Sequence, residues 1–232
     1  KRGHEHSFSG RYIKSFVYGG LDGTITTFAV VAGVAGASLS SSVVLILGFA
    51  NLIADGVSMA FGDYLSTKAE KEYGSAERKR EEKITNFPKV EKNNLIEIFL
   101  NQGFSKKNTE KIANLLCKNK KACVDLMLSY ELGIARKKQG PLKNAAITFG
   151  SFVLFGFIPL IAYVFSKSIS IFHQYTFFIA CLFTGLTLFI LGAVKCKVTR
   201  MNWIRSGVEM LLVGGLAAGA AYAIGYFLSM IV

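Results

Sequence analysis

The sequence predicts an all-α membrane protein with five transmembrane helices and a helical insert between the second and third. Two observations carry this. Of the 232 residues, 51% are apolar, yet the net charge is +12, so charge must be segregated from the apolar segments. Between Lys68 and Lys143 lie 18 of the 27 Lys and Arg residues and 10 of the 15 acids. Outside that block remain five apolar stretches, each near or above the roughly 20 residues that a helix needs to cross a bilayer.

The spans fall at about 12–37, 42–66, 145–165, 175–194 and 204–231. The chain is thus organised as an N-terminal segment with the first two spans (1–66), a helical insert (67–140), and spans three to five (141–232). Lys and Arg are retained on the cytoplasmic side of short connections. Lys1, Arg2, Arg11 and Lys14 precede the first span, and Lys195, Lys197, Arg200 and Arg205 join the fourth to the fifth. Residues 38–41 carry no charge, and 166–174 carry only Lys167. The N-terminus, the insert and the fourth connection are therefore expected in the cytoplasm.

The first span is too long for a signal peptide, contains Asp22 and has no cleavage pattern after it. Cys117, Cys123, Cys181 and Cys196 form neither a zinc spacing nor an extracellular disulfide framework. For Cys117 and Cys123, in the cytoplasmic insert, reduced thiols are expected. His4 and His6 are potential metal ligands in a segment that reads as a mobile tail.

Inside the second span, Asp55, Met59 and Asp63 recur at four-residue spacing, with Asn51 one turn earlier, so all four share a helix face. An ionisable group at membrane depth costs at least a few kcal/mol and is expected only toward a bundle interior or a water-filled path. The stripe reads as a cation route. Carboxylate plus thioether is a mixed hard and soft ligand set, suited to a divalent first-row transition metal. The plainer alternatives are an Asp63 at the membrane boundary, an Asp55 that hydrogen-bonds between helices, and a Met59 that only packs.

In the first span, Asp22 sits within Gly19-Gly20-Leu21-Asp22-Gly23, where glycines leave room for backbone, water or an ion. It is a second intramembrane acid that can flank the same pathway, or an N-cap of a broken helix. Glu209, four residues after Arg205, reads as half of an interfacial ion pair. Pro159 is expected to kink the third span. Ala29, Gly33 and Ala37, and Gly215 with Gly219, are small-residue stripes that let helices approach closely in lipid and point to oligomerisation.

In the insert, a first helix continues out of the membrane over 67–84 and is stopped at Asn86-Phe87-Pro88. A second runs over 91–102, with Leu95, Ile96, Phe99 and Leu100 as its apolar face and Gly103 as its stop. A third opens at Ser105 and continues through 124–132. Glu70, Glu77 and Glu81 share a face of the first helix, either a solvated face balanced by Lys and Arg or a carboxylate cluster that gathers metal. Nucleic-acid binding is disfavoured, because acids interleave the lysines and no aromatic platform is present.

Two motifs carry a family likeness: Gly-Gly-Leu-Asp-Gly-Thr-Ile-Thr-Thr-Phe-Ala-Val-Val-Ala-Gly at 19–33 and Ala-Asp-Gly-Val-Ser-Met-Ala-Phe-Gly-Asp-Tyr-Leu-Ser at 54–66. Together they resemble the vacuolar iron transporter family, and the likeness covers essentially the whole chain. The resemblance implies a homodimer that moves Fe²⁺, with Mn²⁺ as a further candidate, from the cytosol into a vacuole-like store or the endoplasmic reticulum in exchange for protons. The ion path would run at the dimer interface. By the same resemblance, Asp22 is the first-span metal acid and Met59 the second-span ligand. Glu70, Glu72, Glu77, Glu81, Glu82, Glu91, Met127 and Glu131 fall where the insert binds metal. Ser15 and Asn51 stand where plant members place acids, and Asn94 replaces an insert glutamate, which leaves Asp55 and Asp63 to supply charge.

The competing class is a membrane-anchored metal sensor or scaffold. Acids inside the first two spans argue against it, because an anchor has no use for them. No nucleophile–base pair, phosphate loop or zinc motif points to an enzyme, and without a nucleotide-binding signature uphill transport must draw on an ion gradient.

Overall fold

A computed structural model describes residues 8–83, 87–131, 140–166, 168–199 and 202–231. His4, His6 and Lys167 lie outside the described residues, as do the side chains of Glu91 and Glu131. All regular structure among the described residues is helical: α1 (Phe8–Gly36), α2 (Ser41–Glu82), α3 (Phe87–Asn101), α4 (Lys106–Cys117), α5 (Lys120–Glu131), α6 (Pro141–Gly156), α7 (Ile158–Val164), α8 (Ser170–Thr199) and α9 (Trp203–Leu228). The chain divides into two compact units, residues 1–65 with 140–232, and residues 66–139.

Among the described residues, four helices are long and apolar enough to cross a membrane, five if the bent pair α6–α7 is taken as one span. The bend is 40° and falls at Phe157, two residues before Pro159. Proline has no N–H for the helix ladder and is tolerated only in a first turn, so the expected kink becomes the start of α7.

α1 is the hub and packs on α6, α7, α8 and α9. Its glycines make this possible. A Cβ at Gly23 would lie 2.9 Å from the Phe152 Cα, and a Cβ at Gly156 would lie 2.7 Å from the Gly23 carbonyl oxygen. Backbone therefore meets backbone at the α1–α6 crossing. Near its other end α1 meets α9, where a Cβ at Gly36 would lie 3.0 Å from the Tyr222 carbonyl carbon. In lipid there is no hydrophobic drive between helices, and such close approach supplies the dispersion contacts that hold them together. Three hydroxyls inside the bundle bond their own helix: Thr24 donates to the Gly20 carbonyl, Thr26 to Asp22 and Thr184 to Ala180, at 2.7–2.8 Å. No water is needed for them.

α2 shows the bundle one narrow face. Gly48 lies under Leu160, Leu52 is fully buried near Gly156, and Gly56 sits under Phe149 and Phe152. Ile46, Ile53, Val57, Phe61 and Leu65 point away and are exposed. In α9, a Cβ at Gly215 or Gly219 would meet nothing within 4 Å. That small-residue pair is unused within the chain, whereas Gly33 and Gly36 are spent on α9. Glu209 pairs with Lys195 of α8 at 3.9 Å, and not with Arg205: the neighbouring helix offers the nearer cation.

The second unit is built on a core of Leu95, Ala113, Cys123, Val124, Met127 and Leu128. α3 begins at Phe87, earlier than expected, because Pro88 fits a first turn as readily as it ends a helix. It stops at Gly103, whose φ of +89° suits glycine. The Phe104 N–H donates to the Phe99 carbonyl and the Gly103 N–H to the Leu100 carbonyl, a Schellman closure. The Phe99 and Phe104 rings pack over it, 5.7 Å apart. The expected third helix is two helices, with Lys118 and Asn119 between them. The Asn119 side chain accepts the Ala122 N–H at 3.2 Å and its carbonyl the Cys123 N–H at 3.0 Å. This N-cap starts α5 afresh.

Candidate functional site

Asn51, Asp55, Met59 and Asp63 keep the register that their spacing requires. All four are half-buried, while Leu52 and Gly56 beside them are buried and Ile53, Val57 and Phe61 are exposed. The stripe thus runs along the edge where the packed face of α2 meets its open face. Met59 packs against the cluster around Phe28, Leu52, Phe152 and Leu160. The Asn51 amide nitrogen is buried without a hydrogen-bond partner among the described residues.

Asp22, on α1, is also half-buried, and its carboxylate is close enough to that of Asp55 for the two charges to interact. The glycines around Asp22 hold neighbouring helices and not a ligand: Gly19 meets Thr148 and Ser151, Gly20 meets Phe155 and Leu191, and Gly23 meets Phe152. The backbone of α6 takes the space that the sequence left open.

Asp63 has partners on two other helices. Its Oδ2 accepts from Ser15 Oγ at 3.1 Å and from Thr148 Oγ1 at 2.6 Å. Sequence reading singled out Ser15 as a lost acid but had no signal for Thr148, which sits in an apolar stretch 85 residues from its partner. Asn144 and Ser151, buried on the same helix, add polar atoms to this end of α6.

In the insert, Glu70, Glu72 and Glu82 are exposed, and Glu77 and Glu81 are half-buried. Glu72 lies 3.7 Å from Lys68, Glu77 lies 3.9 Å from Arg80, and Arg78 pairs with Asp125. Met127 is 1% exposed within the apolar core. Among the described residues no three His, Cys, Asp or Glu side chains converge as a metal-binding group. Asn94 lines a shallow cavity with Glu97, Ile98, Asn101 and Tyr130.

Long apolar helices around half-buried intramembrane acids define an integral membrane protein that handles ions. A family model, the VIT family, matches residues 13–226. The chain is 39% identical to the vacuolar iron transporter of Toxoplasma gondii over 97% of its own length and 76% of that protein's. It is 36% identical to the vacuolar iron transporter of Plasmodium falciparum, over 98% of the chain and 86% of the relative. With vacuolar iron transporter 1 of Arabidopsis thaliana it shares 33% identity over 95% of the chain and 87% of the relative. The chain belongs to the VIT family, a family of membrane transporters and not of enzymes.

Proposed function

We propose that the chain is a secondary transporter that moves Fe²⁺, and Mn²⁺ as a second substrate, from the cytosol into an intracellular store in exchange for protons. One observation carries the reading: a half-buried line of Asn51, Asp55, Met59 and Asp63 on α2, with Asp22 of α1 within charge reach of Asp55. Asp22 and Met59 are the metal ligands in this proposal. The hard oxygen and soft sulfur together favour a borderline divalent ion over Ca²⁺ or Mg²⁺, which take oxygen alone. Asp55, beside Asp22 on the same path, is the group proposed for proton exchange.

A second copy of the chain completes the path. The stripe borders the open face of α2, and carboxylates at membrane depth do not face hydrocarbon. Close packing of α2 against its counterpart in a homodimer would cover them. The relatives are named vacuolar iron transporters, and the basic residues outside the spans favour a cytoplasmic N-terminus and insert. The insert's acids would then face the cytosol, where they raise the local concentration of metal.

Proteoliposomes with an acidic lumen test this. Fe²⁺ and Mn²⁺ should enter, Ca²⁺ should not, and the lumen should alkalinise as metal enters. Metal uptake that is indifferent to the pH gradient would remove proton exchange, and no uptake of any divalent metal would remove transport.

A further inference from the structure

The sulfurs of Cys117 and Cys123 lie 3.3 Å apart in the insert. Five residues separate them, a spacing that matches no metal or redox motif, and it is the break between α4 and α5 that brings them together. Cys117 is the last residue of α4 and half-buried, and Cys123 lies in the first turn of α5 and is fully buried. The link between them is held at both ends. The Asn119 N–H donates to the Leu116 carbonyl at 3.0 Å, and Asn119 in turn accepts the N–H groups of Ala122 and Cys123. Lys118, Lys120 and Lys121 stand exposed around the turn. Cys181 and Cys196, in the other unit, are both free.

We infer that Cys117 and Cys123 form a dithiol site that hydroperoxides oxidise to an intramolecular disulfide and that glutathione reduces again. The half-buried sulfur is the one a small oxidant reaches, and reactivity follows access and thiolate character. The Cys117 thiolate attacks one oxygen of the hydroperoxide, the O–O bond breaks, and the departing oxygen takes a proton. Cys117 is then a sulfenic acid. The Cys123 sulfur attacks the Cys117 sulfur, the S–O bond breaks, and hydroxide leaves as water with the Cys123 proton. In total two thiols lose two protons and two electrons, and the peroxide gains them. Closing the gap to a disulfide of about 2.0 Å needs a movement of roughly 1.3 Å, within the reach of side-chain rotation. Two glutathione thiols reverse the reaction through a mixed disulfide, and the three lysines attract that anionic tripeptide. The disulfide staples α4 to α5 across the core that they share with α3, so the site reads the oxidant level that accompanies free ferrous iron.

The test uses the purified full-length chain in detergent, reduced and then exposed to equimolar hydrogen peroxide. After alkylation of remaining thiols, trypsin cuts at Lys118 and Lys121 and separates the two cysteines unless they are bonded. The expected result is a joined pair of peptides, from one chain, lighter by about 2 Da than their sum and separated by glutathione. Cys117→Ser should slow peroxide-dependent thiol loss in the insert by at least about tenfold, because the buried Cys123 alone is poorly reached. Cys123→Ser should leave Cys117 to over-oxidise to the sulfinic acid, the fate of a sulfenic acid without a resolving thiol. The inference is overturned if wild-type protein gives unlinked peptides with Cys117 sulfinic acid. Crosslinks only between chains, or a tightly held Zn²⁺ or Cu⁺ on the pair that blocks oxidation, overturn it as well.

Discussion

Ser15 on the first span donates a 3.1 Å hydrogen bond to Asp63 on the second, 48 residues away, and Thr148 on α6 donates to the same oxygen at 2.6 Å. One carboxylate thereby joins three helices. Hydrogen bonds to a charged group contribute about 1.5–3 kcal/mol each, and the shorter Thr148 bond is the stronger. Thr148→Val keeps the shape and removes the donor, so it should lower stability by about 1–2 kcal/mol, and Ser15→Ala should lower it less. Thermal unfolding of the purified variants orders the two.

The α1–α6 crossing predicts a sharp contrast between two glycines. Gly23→Ala drives a methyl against the backbone of Phe152, whereas Gly150→Ala meets nothing within 4 Å. Overpacking against backbone costs about 1–3 kcal/mol. Gly23→Ala should therefore reduce the yield of folded protein and its melting temperature, while Gly150→Ala should match wild type. Equal behaviour of the two variants would mean that the helices do not cross at this point.

Transport should respond to ligands and not to packing. Asp22→Asn and Met59→Ala each remove a proposed ligand while leaving the glycine contacts of α1 intact. Both are expected to keep the melting profile and to lose most Fe²⁺ uptake in proteoliposomes. Asp55→Asn should separate the roles: if Asp55 carries the proton, the variant retains metal binding but its uptake no longer follows the pH gradient.

The insert's acids bear on affinity. Partly solvated carboxylates repel one another when empty, and a divalent ion relieves that repulsion. The triple change of Glu77, Glu81 and Glu91 to Gln should raise the metal concentration needed for half-maximal uptake, with little change in the maximal rate. Calorimetry of Zn²⁺ on the full-length chain provides the direct reading. If wild type and triple variant bind the same number of ions, these acids form a solvated face and the gathering role is lost.

Much of the fold was legible because a bilayer restricts the options. Apolar length and Pro159 each map onto one feature, since a backbone in lipid must satisfy its own hydrogen bonds within helices. The stripe on α2 was legible for the same reason: helical periodicity alone puts Asn51, Asp55, Met59 and Asp63 on one face. The insert was read less accurately. Nothing in 105–132 forbids a continuous helix, and the Asn119 cap divides it.

By itself the sequence determined that apolar helices long enough to cross a membrane dominate the chain, four or five of them, and that acids and a thioether share one side of the second. These are properties of local periodicity and of the energy of taking charge and backbone out of water, and they do not depend on neighbours. The tertiary structure decided the rest. It filled the glycine gaps around Asp22 with α6, gave Asp63 its Thr148 partner, turned Glu209 toward Lys195 and set Cys117 against Cys123. Each of these depends on which helix comes within a few ångströms of which. In lipid that choice follows from shape and small-residue contact, which no single segment encodes.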